Sequence, residues 1–251
     1  MQESFSATRT AIVTGGAKRI GAEIVRALAE DGWSVLVHCR RSRVEAEALA
    51  AELPKARIVE ADLAGREAAE NIFRALEGMP PLQLLVNNAS LFSFDSAEAF
   101  SVEGWDTHFD VNLRAPALLS QAFARHAEGG LIVNLLDAKL ANPNPDFFTY
   151  TISKMGLAGL TELTARAFAS RGIRVCGIAP SITMVSGPQS RENFEVAHRL
   201  NAIGRGVDVS EIVGALRFLI ATPTITGQTI ILDGGQRFLS LPRDVQFLET
   251  S

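Results

Sequence analysis

The chain contains a single tyrosine, Tyr150, which opens the stretch YTISK and places Lys154 four residues further on. Residues four apart on a helix share one face, so the phenol and the ammonium group are expected to be neighbours. A cation within about 4–6 Å stabilises a phenolate and lowers a phenol pKa from near 10 by about 1–3 units. The pair therefore predicts a general acid whose pKa is tuned by Lys154.

A second candidate for chemistry is TGGAKRIG, residues 14–21, which follows an apolar run and opens a helical pattern. Backbone N–H groups and the helix dipole at such a helix start favour a pyrophosphate. Gly15, Gly16 and Gly21 suit a close approach of backbone to ligand, whereas Arg19 stands where such loops usually have glycine. The stretch predicts a dinucleotide site altered at one position.

The end of the second apolar run distinguishes between the two nicotinamide dinucleotides. An NAD site offers a carboxylate to the ribose 2′-hydroxyl about 20 residues after the loop. This chain instead has HCRRSR, with Arg40, Arg41, Ser42 and Arg43. Guanidinium groups bind phosphate, and cations at a helix start oppose the helix dipole, so the arginines favour a ligand with a 2′-phosphate. The predicted cofactor is NADPH, and a solvated basic patch is the alternative.

Short apolar runs alternate with amphipathic helical patterns along the whole chain. This alternation predicts one α/β domain, residues 1–251, with a parallel sheet covered by helices on both faces. The predicted strands are residues 10–14, 34–39, 56–61, 82–87, 131–136, 173–178 and 229–233. The least regular stretch, residues 181–206, follows a strand end, where open sheets place their ligands. We expect a substrate lid there, with a plain surface loop as the alternative.

Composition argues against several other classes of protein. A net charge of −4 with 21% charged residues gives no support to a nucleic-acid or anionic-membrane surface. No signal-peptide pattern and no apolar run of about 18 residues is visible, so a cytoplasmic protein without membrane contact is expected. Cys39 and Cys176 lie in apolar runs, as buried residues do, and the histidines are scattered. No metal site is therefore expected.

Over essentially its whole length the chain resembles the short-chain dehydrogenase/reductase family. The motifs that carry the resemblance are the glycine loop, LVNNAS, VNLRAP, YTISK, IAP and LDGG. The resemblance implies a doubly wound Rossmann-type sheet, a homotetramer, and a catalytic set of Asn112, a residue after the fifth strand, Tyr150 and Lys154. It also implies that Lys154 holds the nicotinamide ribose and that Asn112 supports a proton-relay water.

The family pattern further implies a set of cofactor contacts, with Asp62 of ADL beside the adenine and NNAS beside the ribose. The residues expected at the cofactor are Gly15, Lys18, Arg19, Ile20, Gly21, His38, Arg40, Arg41, Ser42, Asp62, Leu63, Asn88, Ala89, Tyr150, Lys154, Pro180 and Ile182.

Four positions depart from the usual family pattern. Asp137, thirteen residues before Tyr150, stands where the family has a serine that polarises a substrate carbonyl. Arg19, Ser90 and Ser181 each stand where glycine is usual. The first three departures are similar to the pteridine reductases and dihydromonapterin reductases, and HCRRS also resembles their NADPH-selecting segment. Ser181 is not explained by that likeness.

The narrower resemblance implies a site for a flat heterocycle. Phe92 would stack on a pterin opposite the nicotinamide, Asp137 and Tyr150 would deliver the proton, and Arg19 and Ser90 would lie beside the pterin. Reduction of a ring C=N bond needs a proton at nitrogen, which a carboxyl group of raised pKa can donate. The expected function is NADPH-dependent reduction of a dihydropterin of the dihydromonapterin, dihydrobiopterin or dihydrofolate type.

Several alternatives remain open. Phe92 also suits a core position, and Arg19 also suits a role as phosphate ligand alone. Phe147 either borders the pocket or only packs. For the whole protein, the alternatives are a generic NADPH-dependent carbonyl reductase, which would tolerate Asp137, and a non-catalytic NADPH-binding protein. The tail, residues 238–249, is apolar enough to dock on a neighbouring subunit.

Overall fold

The computed structural model of the chain describes residues 9–185 and 189–247. Its centre is one seven-stranded sheet in the order β3–β2–β1–β4–β5–β6–β7, with every neighbouring pair parallel. The strands are β1 (Thr10–Val13), β2 (Ser34–Cys39), β3 (Ala56–Glu60), β4 (Leu82–Asn87), β5 (Gly130–Leu135), β6 (Ile173–Pro180) and β7 (Thr229–Leu232). The predicted α/β fold with a doubly wound parallel sheet is confirmed.

Helices cover both faces of the sheet. Within the described ranges they are α1 (Arg19–Glu30), α2 (Arg43–Glu52), α3 (Ala68–Arg74), α4 (Val102–Phe109), α5 (Ala115–His126), α6 (Phe148–Phe168), α7 (Arg191–Arg199) and α8 (Val209–Ala221). Apolar residues of α1, α2 and α8 enter the core on one face, and those of α3, α5 and α6 enter the core on the other. A π-helical turn, Asp110–Arg114, joins α4 to α5.

The central strands have nearly continuous apolar sequences because both of their faces are covered. β1 and β2 are buried along their whole length. Val13 and Val37 point to the core beneath α1, whereas Ile12 and Leu36 point to the core beneath α3 and α5. Cys39 and Cys176 are buried and unpaired in β2 and β6, as predicted.

Two buried asparagines inside the sheet bond each other, although the Asn87 Oδ1 atom has no hydrogen-bond partner among the described residues. Asn87 of β4 and Asn134 of β5 lie opposite each other in register. Asn87 Nδ2 donates to Asn134 Oδ1 at 2.8 Å, and Asn134 Nδ2 donates to Thr161 Oγ1 of α6 at 2.9 Å. Because a buried amide without a partner costs about 1–3 kcal/mol, this ladder ties α6 to the sheet in one register.

The strand order places a ligand crevice at one edge of the sheet. The chain runs outward from β1 to β2 and β3, then returns to β4 on the other side of β1. At such a switch point the loops at the carboxyl ends of the strands diverge and leave a crevice. In the described ranges, no helix is both long and apolar enough to cross a membrane.

Candidate active site

A cavity of about 630 Å³ lies at the carboxyl ends of the strands. Apart from Gly16, Arg43 and Asn112, every residue predicted for the site lines this cavity. The fold therefore brings together side chains from the loop after β1, the ends of β2 to β6, and the start of α6. Over the part of the chain that the structure describes, no group of three or more His, Cys, Asp or Glu side chains is arranged to hold a metal ion.

The loop between β1 and α1 is held in shape by His38 of β2. The Gly15 N–H donates to His38 Nδ1 at 3.1 Å, and Nε2 lies 3.0 Å from the Ala61 carbonyl oxygen. Nδ1 must accept, so Nε2 carries the proton and donates. Burial lowers the pKa of His38 and keeps the ring neutral. Both ring nitrogens are used within the chain, so His38 shapes the loop; it also lines the cavity, and its contact with the cofactor stays a prediction.

Two glycines and Asn88 set how closely the backbone is packed in this loop. Asn88 Nδ2 donates to the carbonyl oxygens of Thr14 at 2.8 Å and Gly15 at 3.1 Å. Gly15 has a φ of +62°, and a Cβ on Gly21 would lie 2.1 Å from the Gly15 oxygen. No other residue fits at Gly21 without moving backbone. The loop and the first turn of α1 thus have the close-packed form that cradles a pyrophosphate.

Arg19 occupies a backbone conformation that explains why glycine is usual at its position. Its φ is +56°, in the left-handed region. That conformation costs about 1–2 kcal/mol for a residue with a Cβ. The guanidinium Nη1 donates to the carbonyl oxygen of Val185 at 2.7 Å. Arg19 therefore connects the loop after β1 with the stretch after β6, and such strain is typical of functional positions.

The arginines after β2 do not form a single unpaired group. Arg43 bonds Glu47 at 2.8 Å and Glu60 at 3.4 Å and does not line the cavity, so the interpretation that all three arginines await a ligand is wrong for Arg43. Arg40 lies 3.7 Å from Asp62. Arg41 lines the cavity and has no ion-pair partner among residues 9–185 and 189–247.

Tyr150, Lys154 and Asp137 converge at the end of β5. Tyr150 and Lys154 lie on the first two turns of α6 and are 6% and 3% exposed. Tyr150 Oη donates to Asp137 Oδ2 at 2.7 Å, while Asp137 Oδ1 accepts from the Lys139 N–H at 2.8 Å. Lys154 Nζ donates to the Leu135 carbonyl oxygen at 2.7 Å. The three groups therefore form one assembly facing the cavity, in which Tyr150 and Lys154 are buried and Asp137 is partly exposed.

The predicted effect of Lys154 on Tyr150 is wrong in this arrangement. Burial, together with the charge and hydrogen bond of Asp137, raises the pKa of Tyr150 well above 10. Lys154 Nζ lies 5.8 Å from the ring centroid, and burial lowers its own pKa to about 8. Burial also raises the pKa of Asp137, although bonds from Tyr150 and the Lys139 N–H oppose the rise. Tyr150 and Asp137 therefore both hold their protons more tightly than usual, whereas the spacing of Tyr150 and Lys154 alone predicts a phenol that releases its proton more easily.

Asn112 lies behind the cavity rather than on its wall. Its Oδ1 accepts from the Leu91 N–H at 2.8 Å and the Ser90 hydroxyl at 3.2 Å. Its Nδ2 donates to the Leu91 oxygen at 2.9 Å and Ser153 Oγ at 3.0 Å. The side chain fastens the segment after β4 to α6, and its expected support of a relay water stays a prediction.

Phe92 belongs both to the cavity wall and to an aromatic cluster. It stacks on Phe147 with ring centroids 4.2 Å apart and meets the Tyr150 ring edge-on at 4.8 Å. Phe147 is 3% exposed and does not line the cavity, so it packs rather than borders the pocket. Its support fixes the plane of Phe92 beside Tyr150.

The region predicted as a lid contains α7, and its residues 186–188 lie outside the described ranges. The Ser181 N–H donates to the Leu232 oxygen of β7 at 2.8 Å, and its own carbonyl accepts from the Thr183 hydroxyl at 2.9 Å. His198 of α7 bonds the Ile182 oxygen at 2.9 Å. The start of the region is therefore anchored to the sheet and to α7.

Sequence reasoning missed a group of polar residues on the same cavity wall. They are Lys139, Asn142, Asn144, Gln189, Asp233, Gln236, Arg237, Asp244 and Gln246. Two of them, Asp244 and Gln246, come from the tail, of which residues 243–247 pack against their own chain, while residues 248 and 249 lie outside the described ranges. Apart from Asp233, which belongs to LDGG, no motif quoted above marks these positions, because they meet only through the fold.

Residues 9–195 match the family model described as short chain dehydrogenase, and the chain belongs to this family. Two curated relatives cover nearly all of it. L-xylulose reductase of Mus musculus is 34% identical, covering 91% of this chain and 96% of the relative. The 3-oxoacyl-[acyl-carrier-protein] reductase of Synechocystis is 29% identical, covering 90% of this chain and 96% of the relative.

Solved structures give a narrower likeness. FolM alternative dihydrofolate reductase 1 of Brucella canis, complexed with NADP, has a TM-score of 0.89 and 38% identity, covering 94% of this chain and 97% of that chain. The FolM alternative dihydrofolate reductase 1 of Brucella suis, also with NADP, has a TM-score of 0.87 and 40% identity, covering 91% of this chain and 95% of that chain.

Proposed function

We propose that this protein is an NADPH-dependent oxidoreductase that reduces a dihydropterin of the dihydromonapterin, dihydrobiopterin or dihydrofolate type. One observation carries the proposal: Tyr150 Oη bonds the Asp137 carboxyl at 2.7 Å beside Phe92. A carbonyl-reducing site would have a serine hydroxyl at position 137 to polarise the carbonyl oxygen. The likeness to the FolM alternative dihydrofolate reductases, at 38% and 40% identity, supports it.

The cofactor fits the observed cradle. The loop at Gly15 and the start of α1 would hold the pyrophosphate, and Arg41, with Ser42 and Arg40 beside it, would hold the 2′-phosphate. The lack of an ion pair on Arg41 within the described ranges is the observation behind that assignment. NADPH supplies the hydride when bound.

The remaining cofactor contacts follow from position along the cavity. Asp62 and Leu63 after β3 would lie at the adenine, and Pro180 and Ile182 after β6 at the nicotinamide. Lys154 would hold the nicotinamide ribose, because its Nζ has one bond to the Leu135 oxygen and retains two donors.

Asp137 and Tyr150 would hold and deliver the proton. The raised pKa of Tyr150 keeps the phenol protonated at neutral pH, and the raised pKa of Asp137 brings a carboxyl group closer to the range where it donates well. The proton goes to the ring nitrogen next to the carbon that receives hydride. The C=N bond thus becomes CH–NH with no change in the net charge of the substrate. Tyr150 then remains bonded to Asp137, which becomes the carboxylate.

Phe92 would give the substrate ring a flat contact, with Ser90 and Arg19 at the ring edge. An aromatic pair of this kind contributes about 0.5–1.5 kcal/mol beyond its area. Residues 181–206 would act as a lid over the ring, since Arg19 already reaches Val185 of that stretch.

A panel of substrates tests the proposal. NADPH oxidation is measured with dihydrobiopterin, dihydromonapterin, dihydrofolate and several ketones. Turnover of dihydropterins supports the proposal. Turnover of ketones alone supports the second candidate, a generic NADPH-dependent carbonyl reductase, which the 34% identity to L-xylulose reductase favours. Binding of NADPH with no turnover of any compound contradicts both and identifies a non-catalytic NADPH-binding protein.

We also propose that the protein forms a homotetramer. Exposed apolar side chains on α6 (Met155, Leu163), on α8 (Phe218) and on β7 (Ile231) lie on two separate surfaces suited to two kinds of subunit contact. Light scattering coupled to gel filtration measures the mass directly, and a monomer across the micromolar range contradicts this assembly.

A further inference from the structure

The last described residues return to the cavity from far along the chain. Residues 241–246, which we call the C-terminal wall, contribute Leu241, Asp244, Val245 and Gln246 to its lining. Val245 is 9% exposed, so the segment packs against the rest of the chain. The short helical turn that begins at Val245 also contacts α7. The wall thus lies between the region proposed as a lid and the start of α6.

A buried carboxylate clamps the wall in place. Asp146 is 5% exposed and directly precedes Phe147 at the start of α6. Its two oxygens accept from Arg243 Nε at 3.0 and 2.8 Å, and one of them accepts from the Asp244 N–H at 2.7 Å. Arg243 is half exposed but the Asp146 carboxylate is buried, so removing Arg243 would leave a buried charge with one partner fewer, which is unfavourable. Asp146 therefore couples the position of the wall to the helix that carries Tyr150.

The clamp presents a second ion pair to the cavity. Lys139 Nζ lies 3.4 Å from Asp244 Oδ2, and the two side chains are only 10% and 15% exposed. Lys139 Nζ also donates to the Asp146 carbonyl oxygen at 2.6 Å. An ammonium group has three donors and a carboxylate oxygen accepts more than one bond, so the pair retains both a donor and an acceptor. Lys139 is two residues from Asp137, which places this pair next to the proposed proton donors.

The charges on this side of the cavity are matched. Asp244 neutralises Lys139, and Asp233 bonds Arg237 Nη1 at 2.7 Å. A neutral pair that still offers a donor and an acceptor suits hydroxyl groups, which both donate and accept. It gives little net attraction to a carboxylate.

We propose that the C-terminal wall recognises the substituent on the substrate ring, and that Lys139 and Asp244 hydrogen-bond its hydroxyl groups. Asp146 and Arg243 are positioning residues that hold Asp244 in place. This inference rests on the proposed pterin reduction and assigns the recognition of the substituent to residues outside the catalytic assembly.

Two dihydropterins test the contact: dihydrobiopterin, with a dihydroxypropyl substituent, and 6-methyl-dihydropterin, which has no hydroxyl group. In Asp244→Ala we expect KM for dihydrobiopterin to rise about tenfold, the loss typical of a hydrogen bond to a charged group. KM for 6-methyl-dihydropterin should change by less than about threefold, and kcat should be similar for both. Asp244→Asn, which keeps an acceptor, should recover part of the loss.

The clamp is tested with Arg243→Gln against Arg166→Gln, a control that breaks the exposed Arg166–Glu162 pair on the far part of α6. Arg243→Gln should raise KM for dihydrobiopterin as Asp244→Ala does, and Arg243→Lys should recover part of the loss. The control should match the wild type. Thermal melts of each variant show whether the fold is retained.

The outcomes separate this inference from the proposed function. If the wild type reduces both dihydropterins and Asp244→Ala raises both KM values by the same factor, the recognition of the substituent is overturned and pterin reduction stands. An unchanged KM ratio in every variant leads to the same conclusion. If the wild type reduces neither compound, the proposed function fails, and this inference fails with it.

Discussion

The part of the cavity proposed for the cofactor and the part proposed for the substrate are held together by different kinds of contact. The cofactor end is shaped by backbone and by the neutral side chains of His38 and Asn88, which bond the loop after β1, and it carries the charged side chains of Arg40 and Arg41 at the end of β2. The substrate end consists of ion pairs between segments far apart in the chain, such as Asp146 and Arg243, which are 97 residues apart. Backbone packing fixes the shape of the cofactor end, whereas side chains determine the polar contacts that the substrate end offers. We therefore expect cofactor binding and the proposed substrate recognition to respond to substitutions at different residues.

The largest expected effect tests whether chemistry belongs to the substrate end alone. Tyr150→Phe should lower kcat by about 10²–10⁴, because the phenol that bonds Asp137 is lost from the proton-delivery pair. NADPH affinity should fall far less than kcat, since the loop at Gly15, Arg41 and Lys154 all remain in place to hold the cofactor. Single-turnover kinetics and cofactor fluorescence measure the two quantities. A parallel loss of cofactor binding would break the comparison.

Asp137→Ser should lower kcat for a dihydropterin by about 10–10² and leave NADPH affinity nearly unchanged, because only the carboxyl group is replaced. The hydroxyl of serine restores the family's usual donor, so the ketone rate of the variant is measured beside the pterin rate. Unchanged pterin kinetics would remove the main ground for pterin reduction.

Arg41→Ala and Arg43→Ala form a matched pair at the cofactor end. Arg41 lines the cavity, whereas Arg43 is paired with Glu47 and Glu60. Arg41→Ala should weaken NADPH binding about tenfold or more, as the loss of a charge-assisted bond to phosphate does. NADH binding should be nearly unaffected. Equal losses for the two cofactors, or for the two variants by titration calorimetry, would contradict a 2′-phosphate contact at Arg41.

The smallest effect concerns the titration of the only tyrosine. Its folded-state pKa is raised above 10, so ultraviolet absorbance should show little phenolate up to pH 10. Asp137→Asn removes the nearby negative charge and should shift the midpoint downward. A group with a raised pKa binds its proton more tightly when folded, so its contribution to stability is present below pH 10 and lost above it. An identical midpoint in the variant would mean that Asp137 does not act on the phenol.

Much of the cofactor end is predictable because its signals are local. The loop from Gly15 to Gly21 and the basic run after β2 are read from adjacent residues, and the alternation of strands and helices places them at one sheet edge. The YTISK spacing correctly places Tyr150 and Lys154 on one helix face. It does not predict that Lys154 turns to the Leu135 oxygen and that Asp137 becomes the nearest partner of the phenol.

The substrate end is harder to predict for physical reasons. An ion pair such as Asp146–Arg243 depends on where the tail returns, and neither residue lies in a pattern that reports this. The same holds for Arg43, whose partners Glu47 and Glu60 come from its own helix and the next strand. The sequence shows which side chains are charged, but only the fold shows which opposite charge each of them pairs with.

The bond from Arg19 to Val185 has a kinetic consequence. The guanidinium belongs to the helix start suited to phosphate, yet its hydrogen bond is given to a backbone oxygen of the stretch after β6. A phosphate bound at Arg19 would compete for this donor, so we expect occupancy of the cofactor site to change the freedom of the stretch at Val185. We therefore expect the dinucleotide to bind before the proposed dihydropterin and to leave after it.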